Sequence, residues 1–319
     1  MTGRTSPQAT PDAFGELVAE GPLDLVATLG PLYRGPRDPT MRLASRSVAR
    51  AAQTPDGPGA IVVDLDSGRA RVRAWGPGAG WLVGHAAAFI GLDDDPTGFD
   101  PGLHPVVAAL ARRRPGVRLG RTGTVWDSLL EAVLEQKITG SEAFRGFRRL
   151  VLAHGSPAPG PTGLHVPPTG ERVAGLPSWT WPTLGIEPRR GVLLRRLGAE
   201  VGRIERLAEP ARASGGGGAG VAALTSRLRA HTGIGPWTAA EVTLRALGDP
   251  DAVSVADAHL SHVVGWNLAS EPRASDERML ELLAPWAGHR ARVVRLLELD
   301  GNEAPRYGPR VAPRDLRGL

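Results

Sequence analysis

Two helical stripes separated by a four-residue, glycine-rich turn constrain this chain more than any other part of its sequence. Val221, Leu224 and Leu228 recur at the three-and-four spacing of a helix with one buried face, and Trp237, Ala240, Leu244 and Leu247 do the same. Between them lie Thr232, Gly233, Ile234, Gly235 and Pro236. The two glycines remove the side chains that would keep a partner away from the backbone, Ile234 gives the turn an apolar anchor, and Pro236 suits the first position of the second helix. A helix start of this kind presents unpaired amide N–H groups at a positive dipole end, so it can hold a phosphate without reading any base. An ordinary helix–turn–helix connection accounts for the same residues, because Gly-x-Gly alone is a weak motif.

The downstream segment adds a carboxylate. Asp257 stands 20 residues past Trp237, room for one helix and a returning loop, and the spacing predicts a further helix from Ala258 onward with Asp257 at its mouth. The chain can therefore fold back and set an acid beside the turn.

Gly233 to Ala239, then Leu247-Gly248-Asp249-Pro250-Asp251-Ala252, then Asp257, resemble the helix-hairpin-helix DNA glycosylase superfamily in its 3-methyladenine DNA glycosylase II branch. The resemblance implies an enzyme that flips a damaged nucleotide out of the duplex and cuts the bond between base and sugar, with Asp257 as the catalytic acid. Relatives that also cut the strand carry a lysine where this chain has Trp237, so the resemblance implies a monofunctional hydrolase without lyase activity. It implies DNA contacts from Thr232, Gly233, Ile234, Gly235 and Thr238. It also implies a gap-filling residue at the junction after the preceding core helix, where Gln136 and Lys137 fall; both fit a plain helix end equally well. The base pocket expected on this basis comprises Trp237, Trp286 and Glu241, the last standing where relatives often carry an aromatic.

The fold expected is α+β: a leader over residues 1–20, a small N-terminal antiparallel-sheet domain over 21–118, and an all-α helix-hairpin-helix domain over 119–319 with the hairpin at 221–247. The clearest strand pair is Ala60–Leu65 and Ala70–Trp75, joined by the hairpin residues Asp66, Ser67 and Gly68. Leu23–Leu29 and Met41–Ala44 alternate as strands do, and Ala79–Phe89 reads as a helix. Further on, Trp126, Leu129, Leu130, Val133 and Leu134 make the apolar stripe of a core helix. Ser214–Gly218 reads as a flexible linker. Trp179 and Trp181 fit either a pocket wall or inter-helix filler.

Composition bounds the alternatives. The 319 residues suffice for one large or two modest cores. Cysteine is absent, which excludes disulfides, thiol catalysis, cysteine-ligated zinc and a four-cysteine iron–sulfur cluster. Asp93, Asp94 and Asp95 point in different directions and lack later ligands at calcium-loop spacing, and His259 with His262 lacks a completing ligand, so neither a metal nor a cofactor is expected. The first twenty residues lack the basic start and apolar run of a signal peptide, and the expected setting is a cytoplasmic, nucleoid-associated monomer away from membranes. The net charge of +5 agrees with an anionic partner, here double-stranded DNA with damaged bases, although a GC-rich genome enriches arginine equally.

A purine alkylated at N3 or N7 is cationic and leaves readily, so the need is to stabilise an oxocarbenium-like sugar. A carboxylate fixed nearby in a water-poor site does this at about 3 kcal/mol, and an indole face adds about 1 kcal/mol for a cationic base. Two rival readings stand beside an alkylpurine glycosylase: a glycosylase for an oxidised or deaminated base, and a non-catalytic DNA-binding protein that uses the hairpin alone.

Overall fold

The computed structural model describes residues 10–213, 215 and 217–303. Its N-terminal part is a five-stranded antiparallel sheet of order β1-β5-β4-β3-β2. The strands are β1 (Ala13–Val18), β2 (Met41–Ala44), β3 (Ser47–Thr54), β4 (Gly57–Asp66) and β5 (Arg69–Trp75). The β4–β5 hairpin forms as its alternation and its Asp-Ser-Gly turn require, pairing Leu65 with Ala70 and Ala60 with Trp75. Helix α1 (Leu25–Leu29) packs with α2 (Ala79–Gly84) and α3 (Ala86–Phe89) against one face of this sheet, around Ile61, Val63, Val72 and Ala74.

Several expectations for this region are corrected. The leader over residues 1–20 includes strand β1, which adds to the sheet edge because Phe14 to Val18 align with Arg69 to Arg73; residues 1–9 lie outside the described residues. Leu25–Leu29 is helical, since Asp24 accepts the amide of Ala27 and caps the turn. The helix expected over Ala79–Phe89 breaks at His85, whose ring stacks on Trp81 at 3.8 Å.

The helical part has two cores. The first gathers α5 (Val125–Glu135), α6 (Gly140–His154), α7 (Gly170–Ala174), α8 (Thr180–Thr183), α9 (Pro188–Ala199), α10 (Val201–Ala213), α11 (Ala219–Arg229) and α12 (Pro236–Leu247). At its centre α5 is buried from Val125 to Leu134. The second core joins α4 (Pro105–Arg113) with α13 (Leu260–Ala269), α14 (Asp276–Leu283) and α15 (Arg290–Asp300). Helix α4 falls within the stretch 21–118 expected to form the N-terminal domain, yet Val107 and Leu110 pack with Leu260, Val264 and Leu297 instead of with the sheet. Among the described residues no helix is long and apolar enough to cross a membrane.

Buried ion pairs join the sheet unit to α5: Arg50 meets Asp127 at 3.2 Å, and Arg34 meets Glu131 at 2.5 Å and Glu135 at 3.1 Å. Charged groups enclosed this way need such partners, because a lone buried charge is strongly destabilising.

Candidate active site

The expected pair of helices forms. Val221, Leu224 and Leu228 of α11 are buried, and α12 begins with Gly235 as its N-cap and Pro236 in its first turn, with no side chain capping its amides. Gly233 adopts φ 101°, a conformation in which side chains other than glycine's are strained. A Cβ there would also stand 3.1 Å from Leu193. At Gly235 a Cβ would meet nothing within 4 Å, so this flank of the turn is open to an approaching strand. Ile234 is buried and anchors the turn in the first helical core; Thr232 and Gly233 are exposed.

One face of α12 departs from its expected role. Trp237, Ala240, Glu241 and Leu244, at offsets of three and four, are only half-buried, whereas Ala239, Val242 and Ala246 are enclosed. Of the stripe taken for core, Leu247 is enclosed in the first helical core, whereas Trp237 borders the crossing from α12 to α13, where the chain passes from one helical core to the other. Asp257 lies in that crossing. Its Oδ2 accepts the indole N–H of Trp237 at 3.0 Å, and its Oδ1 accepts the amides of His259 at 2.8 Å and Leu260 at 3.0 Å. The acid thus stands at the mouth of α13, which starts at Leu260 instead of Ala258.

The remaining pocket candidates do not join this pair as free groups. Trp286 is 4 % exposed within the second helical core, and its indole donates to the carbonyl of Asp100 at 2.8 Å; enclosed on all sides, its ring offers no face to a base. Glu241 keeps one oxygen on Arg245 and the other on Ser254, so it is an ion-paired strut between α12 and the crossing loop. Arg245 in turn reaches Glu135 at 2.7 Å. Thr238, expected to face DNA, is 2 % exposed, and its hydroxyl accepts the side-chain amide of Gln136 at 2.9 Å. Trp181 is buried beside Gly191, while Trp179 is exposed.

The same geometry divides the two gap-filling candidates. Gln136 also donates to the carbonyl of Gly233 at 2.9 Å, and its own carbonyl accepts two bonds from Arg190, at 3.1 and 2.6 Å. Gln136 is a brace that ties the end of α5 to the hairpin. Lys137, exposed and at φ 53°, projects from the turn.

Three groups here carried no sequence signal. Arg190 is one arginine among many. Ser254 and Glu298 acquire meaning only when distant elements meet. Burial, opposed by Arg295 and aided by the negative charge of Glu241 and Asp257, pushes the Glu298 carboxyl up to about 7. Among the described residues no group of three or more His, Asp or Glu side chains is arranged to hold a metal ion.

No protein-family profile matches the chain. Among curated proteins it is 30 % identical over 174 residues to the probable bifunctional transcriptional activator/DNA repair enzyme AlkA of Mycobacterium tuberculosis, a match over 52 % of this chain and 32 % of that relative. It therefore spans about a third of the length of the curated relatives it matches. Among solved structures, the 3-methyladenine DNA glycosylase of Archaeoglobus fulgidus superposes with a TM-score of 0.74 at 20 % identity, covering 90 % of this chain and 99 % of that one. The 8-oxoguanine glycosylase/lyase of Clostridium acetobutylicum, in complex with DNA, superposes with a TM-score of 0.65 at 12 % identity over 90 % and 96 %. The chain thus has the α+β fold of these solved DNA glycosylases and resembles the AlkA relatives in sequence over about half of its own length.

Proposed function

We propose that this protein is a DNA glycosylase of base excision repair that hydrolyses the N-glycosidic bond of alkylated purines, of the 3-methyladenine and 7-methylguanine type. The observation that carries the reading is the 3.0 Å bond between Asp257 and Trp237 at the crossing between two helical cores. A carboxylate and an indole held this way match what an extruded cationic purine nucleotide needs. The flipped base stacks on the half-buried indole, whose edge is fixed by its bond to the acid. Three of the four carboxylate lone pairs are taken, and the one left on Oδ2 is available to face the cationic sugar or to orient or deprotonate water. The amides at the start of α12, beside the open flank at Gly235, hold a backbone phosphate and leave sequence unread. Double-stranded DNA is the partner on this reading, and hydrolysis is the reaction, because position 237 offers no amine.

The test is a panel of duplexes, each with one lesion, assayed by single-turnover excision at fixed salt, since affinity for DNA varies steeply with salt. Release of alkylated purines with 8-oxoguanine left intact is the expected result. Release of the oxidised base alone would move the assignment to that substrate, and no release from any duplex would leave only a DNA-binding role.

A further inference from the structure

Lys137 is the only lysine in a chain whose Lys and Arg together number 38. It is exposed and sits at φ 53°, a left-handed conformation that costs a non-glycine residue on the order of 1 kcal/mol. Its neighbours hold it there. On one side Gln136 is fixed by Arg190 and by its two bonds to the hairpin. On the other, Thr139 caps α6 in a reciprocal box with Glu142. Among the described residues nothing pairs with its ammonium group. A chain of contacts also ties it to the acid–indole pair: Asp257 bonds Trp237, the adjacent Thr238 bonds Gln136, and Lys137 follows.

A strained backbone that presents an unpaired side chain beside a binding turn is a functional arrangement more than a structural one. Arginine would grip a phosphate better, and this chain uses arginine everywhere else. What lysine offers and arginine does not is a nucleophilic amine on a flexible four-carbon stem.

We infer that Lys137 enters the gap left by the extruded nucleotide and captures the abasic product as a covalent imine. The ammonium group first gives a proton to solvent water; the amine lone pair then adds to C1′ of the ring-opened sugar aldehyde, and the resulting carbinolamine takes a proton from water and loses water to form the C=N bond. Water reverses the step and returns amine and aldehyde, so no oxidant or reductant is consumed. The inference rests on the proposed function, which places a damaged duplex at the acid–indole pair and yields an abasic site. It assigns to Lys137 the amine that the indole at position 237 does not supply. Its effect is to retain a reactive product until the next repair step.

The experiment incubates the full chain with a duplex carrying a preformed abasic site, in the presence of cyanoborohydride, which reduces an imine to a stable amine link. The expected result is a protein–DNA adduct on a denaturing gel that maps to Lys137 by peptide mass. K137R and K137Q should each lower its yield by about tenfold or more, because neither side chain supplies an amine. Binding to a duplex with a tetrahydrofuran abasic analogue, which lacks the aldehyde, should persist in K137R. No adduct, an adduct on the N-terminal amine, or one that survives in K137R overturns the role of Lys137; a retained preference for the tetrahydrofuran duplex then leaves the glycosylase reading standing. No adduct together with no preference for that duplex over intact DNA overturns both. The mapping on the unsubstituted protein decides even if a variant fails to fold.

Discussion

Asp257 takes three hydrogen bonds, two from backbone amides at the mouth of α13 and one from an indole, and this arrangement separates orientation from chemistry. The amides fix where the carboxylate stands, and Trp237 fixes which way it faces. Trp237→Phe keeps an aromatic face for the base but removes the N–H donor. A bond to a charged group is worth about 1.5–3 kcal/mol, so single-turnover excision should fall about ten- to a hundredfold, with duplex binding little changed; an unaltered rate would show that the bond does not position the acid. This pair was legible in the sequence because its 20-residue separation leaves room for one helix and a return. Trp286, Glu241 and Thr238 were not, because an indole, an acid or a hydroxyl has the same identity in a core as in a pocket. What decides is a partner far along the chain: Asp100 for Trp286, 186 residues away, and Gln136 for Thr238, 102 residues away.

The hairpin combines a rigid turn with an open flank. Gly233→Ala would place a methyl group 3.1 Å from Leu193 at φ 101°, and strain of this kind costs about 1–3 kcal/mol. The melting temperature should drop, and affinity by fluorescence anisotropy should weaken equally on damaged and intact duplexes; loss confined to the damaged duplex would place Gly233 in lesion recognition instead of backbone grip. Local signals sufficed for this element and for the β4–β5 hairpin, where turn chemistry and periodicity agree. They failed where tertiary contacts override pattern. Leu25–Leu29 alternates like a strand but is captured as a helix by the Asp24 cap. Strand β1 depends on pairing with β5, more than fifty residues on. On α12, Trp237, Ala240 and Leu244 keep the period of a core face yet are only half-buried, because periodicity marks a face without fixing how far it is covered.

Across the whole molecule, buried charge ties the sheet unit to α5. Burial, opposed by Arg50 and aided by Glu131 and Glu205, pushes Asp127 from its ordinary 3.8 up to about 7. The folded state therefore holds a proton that the unfolded chain releases, and this group's contribution to stability falls as pH rises from about 4 through about 7. Asp127→Asn removes that dependence, so the melting temperature of the variant relative to the unsubstituted protein should rise between pH 5 and pH 8; parallel curves would contradict the assignment. The same scale holds the central claim, since Asp257 meets Trp237 only where the two helical cores join. Free bases released from methylated DNA, identified by mass, test it most directly when the unsubstituted protein is compared with Asp257→Asn. The protein should release 3-methyladenine and 7-methylguanine. The variant should release them at least about a hundredfold more slowly while still binding the duplex, and release at an unchanged rate would contradict the account.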